Sequence, residues 1–144
     1  DGALTMDVDG IIRHFETLTP DSARELARIY TEDATFRDPF NEVRGVPAIE
    51  AIFAKMFEGL HEPRFTVVRR IVDGPHVVLI WDFDFRMRKF RPTQPWRFHG
   101  ASHLELAGDG RIATHRDYWD TAEELYAKLP VLGALMRFLE RNLA

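Results

Sequence analysis

The sequence lacks cysteine altogether, in all 144 residues. Disulfide bonds, thiol nucleophiles and thiolate metal sites are therefore excluded. An excess of basic residues is also missing, because 19 lysines and arginines stand against 23 aspartates and glutamates, for a net charge of −4. A basic footprint for nucleic acid or for an anionic membrane surface is absent, and we expect neither as a partner.

Long apolar runs are missing too. No stretch of 18 apolar residues occurs, and the opening DGALTMDVDG has neither the basic start nor the hydrophobic stretch of a signal peptide. We therefore expect a cytoplasmic protein without a membrane span. The 45% hydrophobic content is sufficient for one core, so residues 1–144 are predicted to form a single domain.

Helical patterns dominate the first 60 residues. Apolar residues recur at helical spacing from Val8 to Leu18 and again from Ala23 to Tyr30, which predicts two helices. ATFRDPF at 34–40 is typical of a short strand that ends at a proline, and RGVP at 44–47 predicts the start of a third helix.

After residue 64 the apolar period changes to two. Strands are predicted at 64–72, 76–89, 96–107 and 111–119, and the short turns between them indicate an antiparallel meander. Thr121 and Glu124 form a capping box for a C-terminal helical tail, which is broken at Pro130 and resumes through 131–143. Helices segregated from an antiparallel sheet predict an α+β domain.

This order of elements resembles the nuclear transport factor 2 superfamily, which includes ketosteroid isomerase, scytalone dehydratase, limonene epoxide hydrolase and SnoaL-like polyketide cyclases. The resemblance is most specific in IYTEDATFRDPFNEVRG at 29–45, in the helix that follows, and in GDGRIATHRDYWD at 108–120. It implies a cone-shaped fold, in which the curved sheet wraps around the N-terminal helices and leaves an apolar pocket at the open end. It does not imply one reaction, because one fold hosts many functions.

The resemblance to ketosteroid isomerases places Asp38 at the position of their catalytic base. Their oxyanion hole uses a tyrosine and a protonated acid, and His14 and Ser102 occupy those places here. A serine is a weaker donor than a neutral carboxylic acid, and losing one such donor costs about 2.7 to 4 kcal/mol of transition-state stabilisation. Steroid isomerisation is therefore disfavoured.

The resemblance to epoxide hydrolases places Asp117, in RDYWD, at the position that activates water. Asp84 is then the candidate second acid, but Asp82 stands where an arginine is expected, and only Arg86 or Arg88 could replace it. Two acids without a cation between them repel and raise one pKa, which is a different acid/base design. Epoxide hydrolysis is possible and not favoured.

Each candidate also has a structural interpretation. Asp38 before Pro39 can close a turn, and Asp117 can form a surface ion pair with Arg116. Asp82 and Asp84 alternate with the aromatic residues of WDFDF, so that only one of the two sets faces the pocket. His115, two residues before Asp117, would share its face on a regular strand and form a pair for acid/base chemistry, whereas a bulge would separate them.

Aromatic and polar residues of the strands and helices are the candidate pocket lining. By period-two alternation we expect Asp117 and Trp119 to face inward, and Arg116 and Tyr118 outward. No carboxylate stands at metal-ligand spacing from a histidine, so no metal site is expected. The candidate ligand-binding residues are His14, Phe36, Phe53, Trp81, Trp96, Phe98, Ser102 and Trp119.

Two functions remain open. The first is an isomerase, hydrolase, dehydratase or cyclase that needs no metal or organic cofactor and acts on a small apolar or amphipathic molecule. Its catalytic candidates are Asp38, Asp117, Asp84 and His115. The second is a ligand-binding or assembly module without catalysis. A homodimer is expected in either case, because strands 64–107 carry apolar residues on both faces.

Overall fold

A computed structural model of the protein describes residues 7–119, 138 and 140–142. Helices come first and a run of long strands follows. Between residues 7 and 119 the elements are α1 (Val8–Glu16), two 3-10 turns (Ser22–Arg24 and Leu26–Arg28), β1 (Tyr30–Arg37), β2 (Glu42–Arg44), α2 (Val46–Gly59), β3 (Leu60–Asp73), β4 (His76–Met87), β5 (Trp96–Leu106) and β6 (Ile112–Trp119).

The strands form one curved, open sheet in the order β2-β1-β6-β5-β4-β3. The predicted antiparallel meander is confirmed for β3 to β6, and irregularities of register within β3 and β5 add to the curvature. β1 was expected in an antiparallel sheet, but it pairs with β6 in parallel, up to Arg37 opposite Arg116. This pairing brings the FRDPF segment beside THRDYW at 114–119.

Both long helices begin at signals that the sequence contains. Asp7 caps α1 by accepting a hydrogen bond of 2.7 Å from the Gly10 N–H. α2 follows Gly45, whose φ of 94° is a left-handed value that suits glycine, and Pro47 lies in its first turn. The buried faces of the two helices cover the inner face of the sheet through Ile11, Ile12, Phe15, Ile49, Phe53 and Met56.

Burial along β4 identifies the inner face of the sheet. Its odd-numbered residues from Val77 to Met87 are all buried, with exposures of 0 to 7%, whereas the even-numbered ones between them are only half-buried. Trp81 and Phe83 therefore face the helices, and Asp82 and Asp84 face outward. The α+β cone expected from the sequence is confirmed, with its core between α1, α2 and this face.

The second predicted helix is wrong. Its buried positions Ala23 and Leu26 lie in two 3-10 turns, and Tyr30 is the first residue of β1. Side-chain hydrogen bonds between Thr19 and Ser22 fix a turn at the start, and the Leu26 N–H donates to Glu50 of α2 at 3.1 Å. These contacts compete with helical hydrogen bonds, as serine and threonine side chains commonly do.

Most of the predicted C-terminal helical tail lies outside the described residues, including the Thr121–Glu124 capping box. Of the apolar stripe, Phe138 is described: it is half-buried against the core, with its ring 6.2 Å from that of Phe90. Residues 140–142 are helical. Among the described residues, no helix has the length and apolar character needed to cross a membrane.

Candidate active site

A partly open cavity of about 100 Å³ lies between the helices and the inner face of the sheet. Most of its wall is aromatic or aliphatic, and the polar groups in the wall are Asp38, Ser102, His115 and Asp117. Five of the predicted ligand-binding aromatic residues line it, namely Phe36, Phe53, Trp81, Phe98 and Trp119. An apolar wall with a few convergent polar groups is the usual form of a small-molecule site.

Two consecutive hydrogen bonds connect Trp81 to Asp117 through Ser102. The Trp81 indole N–H donates to the Ser102 hydroxyl at 2.9 Å, and that hydroxyl lies 2.5 Å from Asp117 Oδ1. Because an indole nitrogen can only donate, the Ser102 oxygen is its acceptor, and the Ser102 proton is directed to the carboxylate. Ser102 therefore positions Asp117, and its proton is not available to a ligand oxygen.

A second chain reaches the same oxygen of Asp117 from Tyr30. The Tyr30 hydroxyl lies 2.6 Å from His115 Nδ1, and His115 Nε2 lies 2.6 Å from Asp117 Oδ1. Tyr30 is fully buried, and this burial, followed by the negative charge of Asp117, raises the pKa of its hydroxyl well above the ordinary value. Tyr30 thus remains protonated and donates to Nδ1, which leaves the proton of neutral His115 on Nε2, directed at Asp117.

Asp117 therefore has two different carboxylate oxygens. Oδ1 accepts hydrogen bonds from both Ser102 and His115, whereas no hydrogen bond from the described residues reaches Oδ2. The side chain is 17% exposed and forms part of the cavity wall. One oxygen is thus held in place and the other is free to accept a proton from a ligand. The surface ion pair with Arg116 is excluded, because Arg116 lies on the outer face with its guanidinium over the Tyr118 ring.

Asp38 has both of the roles that its sequence context suggested. Its Oδ1 closes the turn after β1 by accepting hydrogen bonds from the backbone N–H groups of Phe40, at 2.8 Å, and Asn41, at 2.7 Å. The same side chain lines the cavity. Burial raises the pKa of the Asp38 carboxyl above its ordinary value, hydrogen bonds from Asn41 and Phe40 oppose this rise, and the charge of Asp117 adds to it.

Three predicted site residues lie away from the cavity. Asp84 faces outward on β4, where Arg97 donates to it at 2.7 Å, so it is not the second acid of an epoxide-hydrolase site. Trp96 is buried at the start of β5 but does not reach the cavity wall. His14 lies in a separate surface groove between α1 and the 3-10 turns, and burial, followed by the charge of Arg28, lowers its pKa.

Tyr30 is the functional candidate that the sequence prediction missed. It was placed on a helix, where its side chain would have been part of an apolar stripe. The signal that could have found it is the segment IYTEDATF, in which the β-branched and aromatic residues favour a strand from residue 29 or 30. The apolar wall residues Phe15 and Met56 were not among the predicted ligand-binding residues.

Metal ligands do not converge in the described ranges. Within residues 7–119, 138 and 140–142, no group of three or more histidine, aspartate or glutamate side chains is arranged to hold a metal ion. The chemistry available at the cavity is that of two carboxyl groups, an imidazole and the Ser102 hydroxyl.

The family of this chain is identified by its sequence and not by the geometry of the cavity. The model of the SnoaL-like domain matches residues 11–115, most of the chain. The chain belongs to the SnoaL-like family. No curated protein matches it.

Solved structures share this fold at low sequence identity. A ketosteroid isomerase-like protein from Catenulispora acidiphila, in complex with trimethylamine, is 18% identical over 85% of this chain and 92% of its own, with a TM-score of 0.70. An LEH-like epoxide hydrolase from M. tuberculosis is 18% identical over 90% and 92%, with a TM-score of 0.66. A protein named as a SnoaL-like polyketide cyclase from Shewanella denitrificans is 20% identical over 82% and 93%, with a TM-score of 0.63. At these identities the likeness establishes the fold alone.

Proposed function

We propose that this SnoaL-like protein is a cofactor-independent enzyme that moves a proton on a small, largely apolar or amphipathic molecule. The observation that carries the proposal is the asymmetry of Asp117. Its Oδ1 is held by Ser102 and His115, and its Oδ2 is free at an apolar cavity. A binding module for apolar ligands needs no such arrangement, because an oriented carboxylate in an apolar wall costs desolvation energy.

The second carboxyl group supplies the other half of acid/base catalysis. Asp117 accepts a proton at Oδ2 from a carbon or from water, and Asp38, whose pKa is raised by burial, is the group that donates a proton to a ligand oxygen. Two carboxyl groups in different environments are a common way to separate base from acid. Isomerisation, dehydration, cyclisation and hydrolysis all use this pair of transfers.

Two specific mechanisms in the superfamily fit this site less well. For steroid isomerisation, Ser102 is not free to stabilise an oxyanion, because its proton is directed to Asp117. For epoxide hydrolysis, Asp84 faces outward, and no arginine of the described chain lines the cavity. The structural likeness to the M. tuberculosis hydrolase therefore supports a shared fold and not a shared set of catalytic residues.

Exchange of acidic carbon-bound protons with solvent tests the proposal directly. Phenylacetone is a suitable probe, because a benzene-sized group is about as large as the cavity can hold. In D₂O, the wild-type protein should accelerate deuterium incorporation next to the carbonyl, as measured by NMR. Asp117→Asn should reduce the acceleration about 100-fold or more.

Asp84→Asn is the matched control, since it makes the same chemical change on the outer face and should leave the exchange rate unaltered. Equal rates for wild type and Asp117→Asn would contradict the proposal. A wild-type protein that binds phenylacetone and styrene oxide without altering either would favour the binding module.

A further inference from the structure

A second, open cleft of about 900 Å³ adjoins the candidate active site. It shares Asp38, Asp117 and Trp119 with the cavity. The other residues around it include Arg37 and Arg116, which the cavity does not reach. The two carboxyl groups of the proposed acid/base pair thus border both the apolar cavity and a cleft that is lined by two arginines.

The offset between β1 and β6 along their pairing explains how the two spaces meet. The pairing of these strands ends at Arg37 opposite Arg116, where β1 turns away at Asp38, whereas β6 continues to Trp119. Beyond this point β6 is paired with β5 but has no described partner on its β1 side. The pairing on this side of β6 therefore stops next to Asp117, which borders both the cavity and the cleft.

Arg37 and Arg116 carry charges that nothing in the described ranges neutralises. They are direct neighbours across the parallel pair and are exposed. Neither has a carboxylate oxygen within 4.0 Å among the described residues, although Glu42 is the register partner of Arg37 across β2. Two adjacent guanidinium groups repel each other, and this repulsion is relieved when an anion binds between them.

Arg116 is also oriented for such a contact. Its guanidinium carbon lies 4.7 Å from the centre of the Tyr118 ring. Stacking on an aromatic ring uses the face of the guanidinium and leaves the N–H groups at its edge free to donate. A planar fork of this kind matches the two oxygens of a carboxylate or the oxygens of a phosphate.

The size of the cavity argues that a ligand extends beyond it. At about 100 Å³, it is smaller than the roughly 300 to 1,000 Å³ of ordinary ligand pockets. A molecule that places a ring or a short chain in the cavity and is any larger extends beyond it, and the cleft that shares Asp38 and Asp117 with the cavity offers adjacent space for the remainder.

We propose that the substrate is an amphipathic anion, with its apolar end in the cavity and a carboxylate or phosphate group bound by Arg37 and Arg116 in the cleft. The reacting atoms then lie between these ends, beside Asp38 and Asp117. This inference rests on the proposed function and adds the charge and polarity of its substrate.

Three probes that share one apolar group test the proposal: 4-phenylbutan-1-ol, 4-phenylbutyrate and 4-phenylbutyl phosphate. Their dissociation constants are measured by NMR titration at low salt, with the Trp81 and Trp119 indole signals as reporters. Both anions should bind about tenfold more tightly than the alcohol, and the tighter anion identifies the head group. Arg37→Gln and Arg116→Gln should each weaken anion binding by about fivefold, as expected for the loss of one partly screened, charge-assisted hydrogen bond. Neither substitution should change the dissociation constant of the alcohol.

Arg13→Gln, which removes the same charge from α1, is the matched control and should change none of the three constants by as much. Anions that bind no more tightly than the alcohol, or arginine variants that lose no more than Arg13→Gln, would overturn the anion site. In that case an alcohol that still shifts the indole signals would leave the proposed apolar site intact. If none of the three probes shifts those signals, the anion site and the proposed function both fail.

Discussion

Tyr30 determines which nitrogen of His115 carries the proton. Its donation to Nδ1 assigns the proton of neutral His115 to Nε2, where it is shared with Asp117. His115 cannot then accept a proton from a ligand through Nε2. It acts by positioning Asp117. Of the four catalytic candidates from the sequence, only Asp38 and Asp117 therefore remain.

Tyr30→Phe should destabilise the protein by about 1 to 3 kcal/mol, because the buried Nδ1 of His115 loses its hydrogen-bond donor while the ring packing is kept. The measurement is the urea midpoint, together with ¹⁵N NMR shifts of the His115 ring, where the Nδ1 resonance should move toward that of a free acceptor. Tyr118→Phe removes a hydroxyl from an exposed side chain and should have little effect. Equal stability of the two variants would show that the buried hydrogen bond contributes nothing.

The stability of the Asp38→Asn variant relative to that of the wild type should increase as the pH rises. Because burial raises the pKa of Asp38 above its ordinary value of 3.8, the native state binds more protons than the unfolded chain between the two pKa values. The contribution of Asp38 to stability is fully present below about pH 3.8 and is lost as the pH rises through the folded pKa. The stability of wild type minus that of Asp38→Asn should therefore fall from pH 3 to pH 7.

Urea unfolding at a series of pH values measures this difference. Asp33→Asn, at an exposed position of β1, is the comparison for a carboxylate outside the cavity. A difference that is constant with pH would mean that the turn hydrogen bonds to Asp38 cancel the effect of its burial.

At the level of elements, β5 has a glycine where it must leave room for an aromatic ring. A Cβ at Gly100 would lie 2.6 Å from the Trp81 ring and 2.8 Å from the Tyr118 carbonyl oxygen. Gly100→Ala should therefore displace Trp81 and cost about 1 to 3 kcal/mol, as overpacking of a filled site does. Thermal or urea unfolding measures the loss.

Gly108→Ala is the control for this substitution, because a Cβ there meets nothing within 4 Å. It should be neutral or slightly stabilising, since alanine restricts the unfolded chain. If Gly100→Ala behaved in the same way, the ring of Trp81 would have to move without loss of packing.

The strands of the second half were predictable because each carries a period-two pattern that burial reproduces. β4 is the clearest example, with every second residue buried. The inward direction of Asp117 and Trp119 followed from the same rule and agrees with the structure. The short strand β2 was not predicted, because three residues are too few to display a period, and it is defined only by its pairing with β1.

The two chains of hydrogen bonds that end at Asp117 were not predictable, and the reason is different. Tyr30, Ser102 and His115 lie on three strands, and their contacts depend on register and on the parallel pairing of β1 with β6. Asp84 shows the opposite error, since a motif placed it in the site and the alternation of β4 turns it to the surface. Local patterns determine elements and faces, whereas a hydrogen-bond chain depends on how distant strands align.

At the level of the whole molecule, we propose a homodimer that uses the outer face of the sheet near its β3 edge. Val68 and Ile71 on this strand are 53% and 50% exposed, Ile71 is the register partner of the outward-facing Val78, and β3 is an edge strand of the sheet. Exposed apolar residues on an edge strand favour association. Sedimentation should give about twice the 16.7 kDa of the chain at micromolar concentration.

Ile71→Lys should shift this protein toward the monomer, because it places a charge within the apolar patch. Thr66→Lys, also exposed on β3 but outside the patch, is the control. A wild-type monomer at micromolar concentration would count decisively against the dimer.

The hydrogen bond between Tyr30 and His115 joins residues 85 positions apart in the chain. Closing so long a loop carries an entropic cost that grows with its length, and contacts of this kind slow folding relative to local ones. During synthesis the meander β3–β4–β5 can pair as it emerges, and β1 can pair with β2, but β1 must wait for β6 before it gains its second neighbour in the sheet. The carboxylate that is proposed to do the chemistry therefore gains its full set of hydrogen bonds only after β6 has been made and has paired with both β1 and β5.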